Sequence, residues 1–157
     1  MKLKVIISGG QTGADRAGLD FARENGMYHG GFCPAGRRAE NGRIPEQYKL
    51  IELDTDDYAV RTGLNVLISD ATVIVHANPI TPGSALTIRC CEEANRPYLL
   101  IPVNMVPLEA ASALRKWVWA RNIRALNVAG SRESRCPGVY AYTLDILNRA
   151  HAMDQPE

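Results

Sequence analysis

The feature that most constrains this chain is an alternation of short apolar, β-rich runs with stretches of helical spacing. Residues 3–7 form the first run and are ended by glycines. Ala14, Ala17, Gly18, Phe21 and Ala22 then recur at helical intervals over residues 14–25, stopped by Asn25-Gly26. Residues 48–53 predict a strand. Thr55 predicts the cap of a helix whose first turn holds Asp56 and Asp57, with Val60, Leu64 and Leu67 as its core face. Further strands are expected over 71–76, 98–103 and 124–129. Helices are expected over 84–95, over 107–121 with Leu108, Ala111, Leu114 and Val118 on one side, and from Pro137 to about residue 150.

Repeated strand-then-helix units bury a parallel sheet between two helical layers through right-handed crossovers. The expected fold is a single α/β Rossmann-like three-layer domain over residues 1–150, its mainly parallel sheet flanked by helices, with residues 151–157 as a frayed tail. The chain's 157 residues match one domain and suffice for a sizeable core.

Composition excludes several function classes. Hydrophobic residues at 46 % and charged ones at 22 % argue against disorder. A net charge of +1 argues against binding nucleic acid or anionic membrane by gross electrostatics. No apolar run approaches the ~18 residues of a membrane span, and the N-terminal run is too short for a signal-peptide core. Cys33, Cys90, Cys91 and Cys136 contain no C-x-x-C, which fits reduced thiols and a cytoplasmic location. His29 and Cys33 alone lack the second half of a zinc site, so no metal is expected. The basic side is lopsided, with 14 Arg and 4 Lys. Arginine's planar fork pairs bidentately with oxyanions, although coding bias also raises its count.

Ligands in such sheets bind beyond the carboxyl ends of the strands. Three loops there share a chemistry. In the first, Ser8, Gly9, Gly10, Gln11, Thr12, Gly13, Asp15 and Arg16 join a strand to a helix; bare backbone N–H groups, a helix start and a hydroxyl make it a candidate anion cradle. It is neither a P-loop nor G-x-G-x-x-G. The second, Asn78 to Thr87, opens a helix at Gly83-Ser84, and its plainer reading is simple capping by Ser84. The third, Gly130 to Arg135, supplies Arg132, Arg135 and two serines. Residues 29–45 form a long turn-rich stretch with Arg37, Arg38 and Arg43, read as an anion-facing flap. Arg61 belongs to the helix after the next strand, where an ion pair with Asp57 is the bland alternative. His76 ends a strand at the same rim and reads as a packing residue.

Several of these motifs carry a family resemblance. Ser8-Gly-Gly-Gln-Thr-Gly-Ala-Asp15, His29-Gly-Gly-Phe-Cys-Pro34, Gly36-Arg37 with Ala39-Glu40, Arg61-Thr62 with Asn65-Val66, Ser69-Asp-Ala-Thr72, and Leu126-Asn-Val-Ala-Gly130 with Arg132-Glu-Ser134 resemble the putative molybdenum carrier family. That family is a circularly permuted branch of the Rossmann-like superfamily that includes the Lonely Guy nucleotide hydrolases and DNA-processing protein A. The resemblance implies a homo-oligomer that binds an anionic small molecule, such as molybdenum cofactor, molybdate or a nucleotide. On that reading Gly9, Gly10, Thr12, Gly13, Gly83 and Ser84 cradle the anion and Arg16, Arg37, Arg61 and Arg132 are its charge partners, with no cysteine placed to ligate molybdenum.

A carrier or sensor is the function expected, and a nucleotide-processing hydrolase (N-glycosidic or phosphoester) is the alternative. The nucleotide hydrolases carry a Pro-Gly-Gly-x-Gly-Thr loop with a catalytic Glu three residues later. If Ser84 matches that Thr, Thr87 stands where the Glu would be and has no acid–base capacity near neutral pH. Asp15 would be the acid–base group of a hydrolase, or else a residue bonding backbone N–H groups. A DNA-binding module lacks aromatic residues for a stacking groove, with six Tyr, two Trp and two Phe.

Overall fold

The computed structural model describes residues 2–153. Its strands are β1 (Val5–Ile7), β2 (Tyr28–Gly30), β3 (Phe32–Cys33), β4 (Arg38–Ala39), β5 (Gly42–Arg43), β6 (Ile51–Glu52), β7 (Ala71–His76), β8 (Tyr98–Pro102) and β9 (Ala125–Gly130). Its helices are α1 (Ala14–Glu24), α2 (Tyr58–Leu67), α3 (Pro82–Glu93), α4 (Pro107–Ala120) and α5 (Val139–Ala152). The main sheet is parallel throughout, in the order β2-β1-β9-β7-β8. Counted from β7 instead of from the N-terminus, the order is 2-1-3-4-5, a common doubly wound arrangement that places its ligand crevice between the first and third strands. Here those strands are β7 and β9.

All six residues of β7 are buried, as a central strand covered on both faces requires. Val73 and Val75 join Ile6, Phe21, Leu114, Val118, Ile146 and Leu147 in one core beneath α1, α4 and α5. Thr72 turns to the other face, toward Cys91 of α3. The fold is therefore the expected Rossmann-like α/β architecture, a five-stranded parallel sheet flanked by five helices.

Local boundaries differ from the sequence expectation for identifiable reasons. Asp57, not Thr55, caps α2, its Oδ1 accepting from Ala59 N–H at 2.9 Å; Thr55 Oγ1 accepts from the Asp57 N–H. Thr62, Asn65 and Val66 of α2 turn inward, whereas Val60 and Leu67, expected on its core face, are exposed. Helix α3 begins at Pro82, where the missing N–H costs nothing. Helix α5 begins at Val139 after Gly138 and extends through His151 and Ala152; residues 154–157 of the expected tail lie outside the described residues.

The stretch at 29–45 is ordered and folded. It contributes β2 to the main sheet, pairs β3 with β6, and folds β4 and β5 into a hairpin. Cys33, Ala39, Ile44 and Tyr48 pack on Leu19 of α1, which makes a second small core. The expected strand at 48–53 shrinks to β6 because its partner is β3, only two residues long.

Candidate functional site

A cavity of about 480 Å³ opens over the carboxyl half of β9, bounded by the loop after β1, by α2 and by α3, the helix that follows β7. That volume is typical of small-molecule sites. Its floor is Asn127, Ala129 and Gly130, and its walls include Gly9, Gln11, Asp15, Arg61, Thr62, Gly83, Thr87, Arg89, Arg132 and Arg135. Position follows from topology, since the switch point parts the helices α2 and α3 from α1.

Gln11 is 7 % exposed. Its Oε1 accepts from the N–H groups of Thr12 at 3.1 Å and Glu40 at 2.8 Å, which fixes the amide's orientation. The Nε2 donor consequently has no acceptor, although it is buried. An unsatisfied buried donor costs free energy on the order of 1–3 kcal/mol and calls for a reason.

Asp15 and Arg61 form an ion pair, with Nη1 to Oδ2 at 3.1 Å and side chains 6 % and 14 % exposed. The same Oδ2 accepts from the Gln11 N–H at 3.3 Å. Burial pushes the Asp15 carboxyl above its ordinary value, opposed by Arg61 and by the Gln11 N–H. The guanidinium lies flat against Gly9, where a Cβ would stand 1.6 Å from Nη1. Arg61 Nε is a second buried donor without an acceptor. Arg61 also stacks near Tyr58, its Cζ 5.5 Å from the ring centroid.

The opposite wall is positive. Thr81 precedes α3 without a side-chain cap, Gly83 is exposed, and nothing stands within 4 Å of a Cβ placed on it, so space is open beside the first turn of α3. Arg89 and Arg135 have no ion-pair partner among the described residues, and Arg132 stands 4.0 Å from Glu40. With Arg61 offset by Asp15, these three arginines leave the cavity electropositive.

Half of the sequence-proposed site residues line this cavity: Gly9, Gln11, Asp15, Arg61, Gly83, Thr87 and Arg132. The others support it from behind. Ser8 Oγ donates to the Asp15 carbonyl and accepts from the Gly10 N–H. Gly10 packs on Leu50 and Ile44. Gly13 is covered by the third loop: Ala14 N–H donates to Ser131 O, and Glu133 N–H donates to Thr12 Oγ1. Thus the start of α1, the expected cradle, is closed by protein, whereas the start of α3 is open. Ser84 is fully buried, receiving at most a long hydrogen bond from Thr81 Oγ1 at 3.4 Å.

Two arginines expected as charge partners do other work. Arg16 donates from Nε and Nη2 to the Gly10 carbonyl, which shapes the first loop. Arg37 is 5 % exposed and donates to the carbonyls of Ile44, Leu50, Pro45 and Tyr48. It holds the 44–50 segment from inside, away from the cavity. Tyr48 in turn donates its hydroxyl to Asp20 at 2.7 Å. His76 is buried and outside the cavity lining.

Glu40, carried by the hairpin, ties three loops together. Its carboxylate accepts from the hydroxyls of Thr12 and Ser134 and from the Ser134 N–H. Burial alone would raise this carboxyl, but those hydrogen bonds and Arg132 hold it below its ordinary value. Sequence reasoning missed Arg89, Tyr58 and Asn127. Asn127 left a signal, an amide inside the apolar strand β9, where Nδ2 donates to Thr72 Oγ1 at 3.2 Å. Arg89 lies seven residues along α3 from Pro82 and three from Leu86, both of which line the cavity, a helical spacing that could have marked it.

Among the described residues no cluster of His, Cys, Asp and Glu could hold a metal ion. None of the four cysteines lines the cavity, and burial pushes their thiols up. The donor set therefore fits a phosphate or oxyanion ligand and does not fit thiolate ligation of molybdenum. No helix among the described residues is long and apolar enough to cross a membrane.

The model of the circularly permutated YpsA SLOG family matches residues 6–151. Among solved structures, the chain is similar to the crystal structure of a "putative molybdenum carrier protein" from Syntrophus aciditrophicus SB. The two are 43% identical over 95% of each chain, with a TM-score of 0.92. No curated protein matches.

Proposed function

The chain belongs to the circularly permutated YpsA SLOG family, and on that premise we propose that it is a carrier or sensor for a phosphate-bearing or oxyanion small molecule. Molybdenum cofactor, molybdate and nucleotides are the ligands in that class, and the similar structure's description as a molybdenum carrier supports keeping the first two. The observation that carries the reading is the pair of buried donors without acceptors, Gln11 Nε2 and Arg61 Nε, in a cavity with three further arginines. A ligand acceptor satisfies the donors, and the open start of α3 complements negative charge.

Of the cofactor's parts, the phosphate is what these residues would hold: Gly83 amide, Arg132 and Arg135 are its candidate partners. Molybdenum supplies redox chemistry when bound, and here it is cargo. Homo-oligomerisation is part of the proposal, supported by Val60, Leu67 and Ile68 exposed on and beside α2.

Hydrolysis of a nucleotide-like ligand is the second reading, favoured by one observation: Asp15 is a buried carboxyl in the cavity, pushed above its ordinary value. Thr87 donates its hydroxyl to the Gly83 carbonyl and offers no acid or base. Thermal shifts with ribose 5-phosphate, nucleoside monophosphates and molybdate test the binding reading, since a ligand raises stability according to its concentration over Kd. Release of free base on prolonged incubation would instead select the hydrolase.

A further inference from the structure

We propose that the corner formed by Gln11, Asp15 and Arg61 is a recognition subsite for a lactam edge, a ring carbonyl beside a ring N–H, on the ligand. This rests on the anion-binding reading above and adds the chemistry of the ligand's other end.

Gln11 cannot turn its oxygen to the cavity, because Oε1 already accepts from Thr12 and Glu40. It offers Nε2, and Arg61 offers Nε: both are buried donors without acceptors, on residues that share Asp15 Oδ2 and line the same cavity. Beside them Asp15 has Oδ2 occupied by Arg61 and the Gln11 N–H, while no hydrogen bond among the described residues engages Oδ1. The set is two donors and one acceptor. A carbonyl oxygen has two lone pairs and can take both donors, whereas a ring nitrogen has one; an adjacent ring N–H then donates to Asp15.

Charge decides which end of the ligand goes where. A phosphate placed in this corner would meet the Asp15 carboxylate, a like-charge contact. The start of α3 with Arg132 and Arg135 carries no such carboxylate and takes the anion. About 480 Å³ accommodates both ends at once. A free tetrahedral oxyanion displaces only a few waters of about 30 Å³ each and would leave the corner unpaired.

Inosine 5′-monophosphate and adenosine 5′-monophosphate differ at this edge: carbonyl and N–H in the first, amino group and bare nitrogen in the second. Calorimetric titration of the intact protein with both, and with ribose 5-phosphate, is the test. Inosine monophosphate is expected to bind at least about tenfold tighter than adenosine monophosphate. Gln11→Glu keeps the acceptance from Thr12 and Glu40 but replaces the donor by an acceptor, and is expected to abolish that preference. Gln11→Met, which removes the donor at similar volume, serves if the first variant does not fold. Equal affinity for the two nucleotides while ribose 5-phosphate binds would overturn the lactam subsite and leave the anion site standing. A preference that survives both substitutions would also overturn it. Binding of none of the three would remove the anion-binding reading and this inference with it. The nucleotide comparison on the unsubstituted protein decides even if neither variant folds.

Discussion

Arg61 Nη1 lies 3.1 Å from Asp15 Oδ2 and against the bare Cα of Gly9, so one guanidinium is fixed by a carboxylate on one helix and a glycine in the first loop. The arrangement leaves Arg61 Nε a buried donor without an acceptor, on a residue that lines the cavity.

Gly9→Ala is expected to expel the guanidinium from its seat. Arg61's end is flexible, so the stability loss should be small, about 1–2 kcal/mol on the overpacking scale. Ligand-induced thermal shifts should fall far more than stability does. A variant with intact ligand shifts would show that the seat of Arg61 is irrelevant to binding.

Asp15 has a raised carboxyl in the folded protein, so the folded state holds its proton to higher pH than the unfolded state. Its contribution is full below the unfolded value and is lost as pH rises through the folded one. Asp15→Asn lacks this dependence. Its stability relative to the unsubstituted protein should therefore improve as pH rises from 4 to 7, read by urea unfolding across that range. A constant difference would contradict the assignment.

Glu40 titrates the other way, because its hydrogen bonds to Thr12 and Ser134 hold it low. Its contribution is present above the ordinary carboxyl value and fades as pH falls through the depressed one. Glu40→Gln is expected to cost about 1–2 kcal/mol at pH 7 and to flatten the acid limb of the stability profile. Loop protection from proteolysis at 131–135 should drop in the same variant.

The glycines of the two helix starts separate folding from binding. Gly13 has φ +83°, and a Cβ there would stand 2.3 Å from the Ser131 carbonyl oxygen, a backbone atom with little room to give. Gly13→Ala should cost more than about 2 kcal/mol. Gly83 faces open space, so Gly83→Val should fold normally and weaken ligand binding. Chemical denaturation and titration of the two variants should give opposite patterns.

Much of the fold was legible because its signals are local. Residues 71–76 read as a buried strand and 107–121 as an amphipathic helix, and both formed within a residue or two. Sheet order was not legible, since the pairing of β1 with β9 depends on contacts more than a hundred residues apart. At the site, Gln11, Asp15 and Arg132 announced themselves by type within Gly-rich loops. Arg37 did so too and misled: its neighbours resemble a flap, yet the carbonyls of 44–50 converge on it and draw the guanidinium inward. Gly10 and Gly13 misled likewise, because a glycine required for close packing reads the same as one required by a ligand.

Arg132 and Arg135 reach the cavity from one loop, partly or fully exposed, and neither lies in the core. Calorimetric titration of ribose 5-phosphate into the unsubstituted protein and into an Arg132→Ala/Arg135→Ala double variant reads the electropositive cavity without involving its buried pair. Saturable binding that is weakened at least about tenfold in a variant of unchanged melting temperature is the predicted result. Equal binding by both proteins, or no binding by either, would contradict an anion site at this cavity.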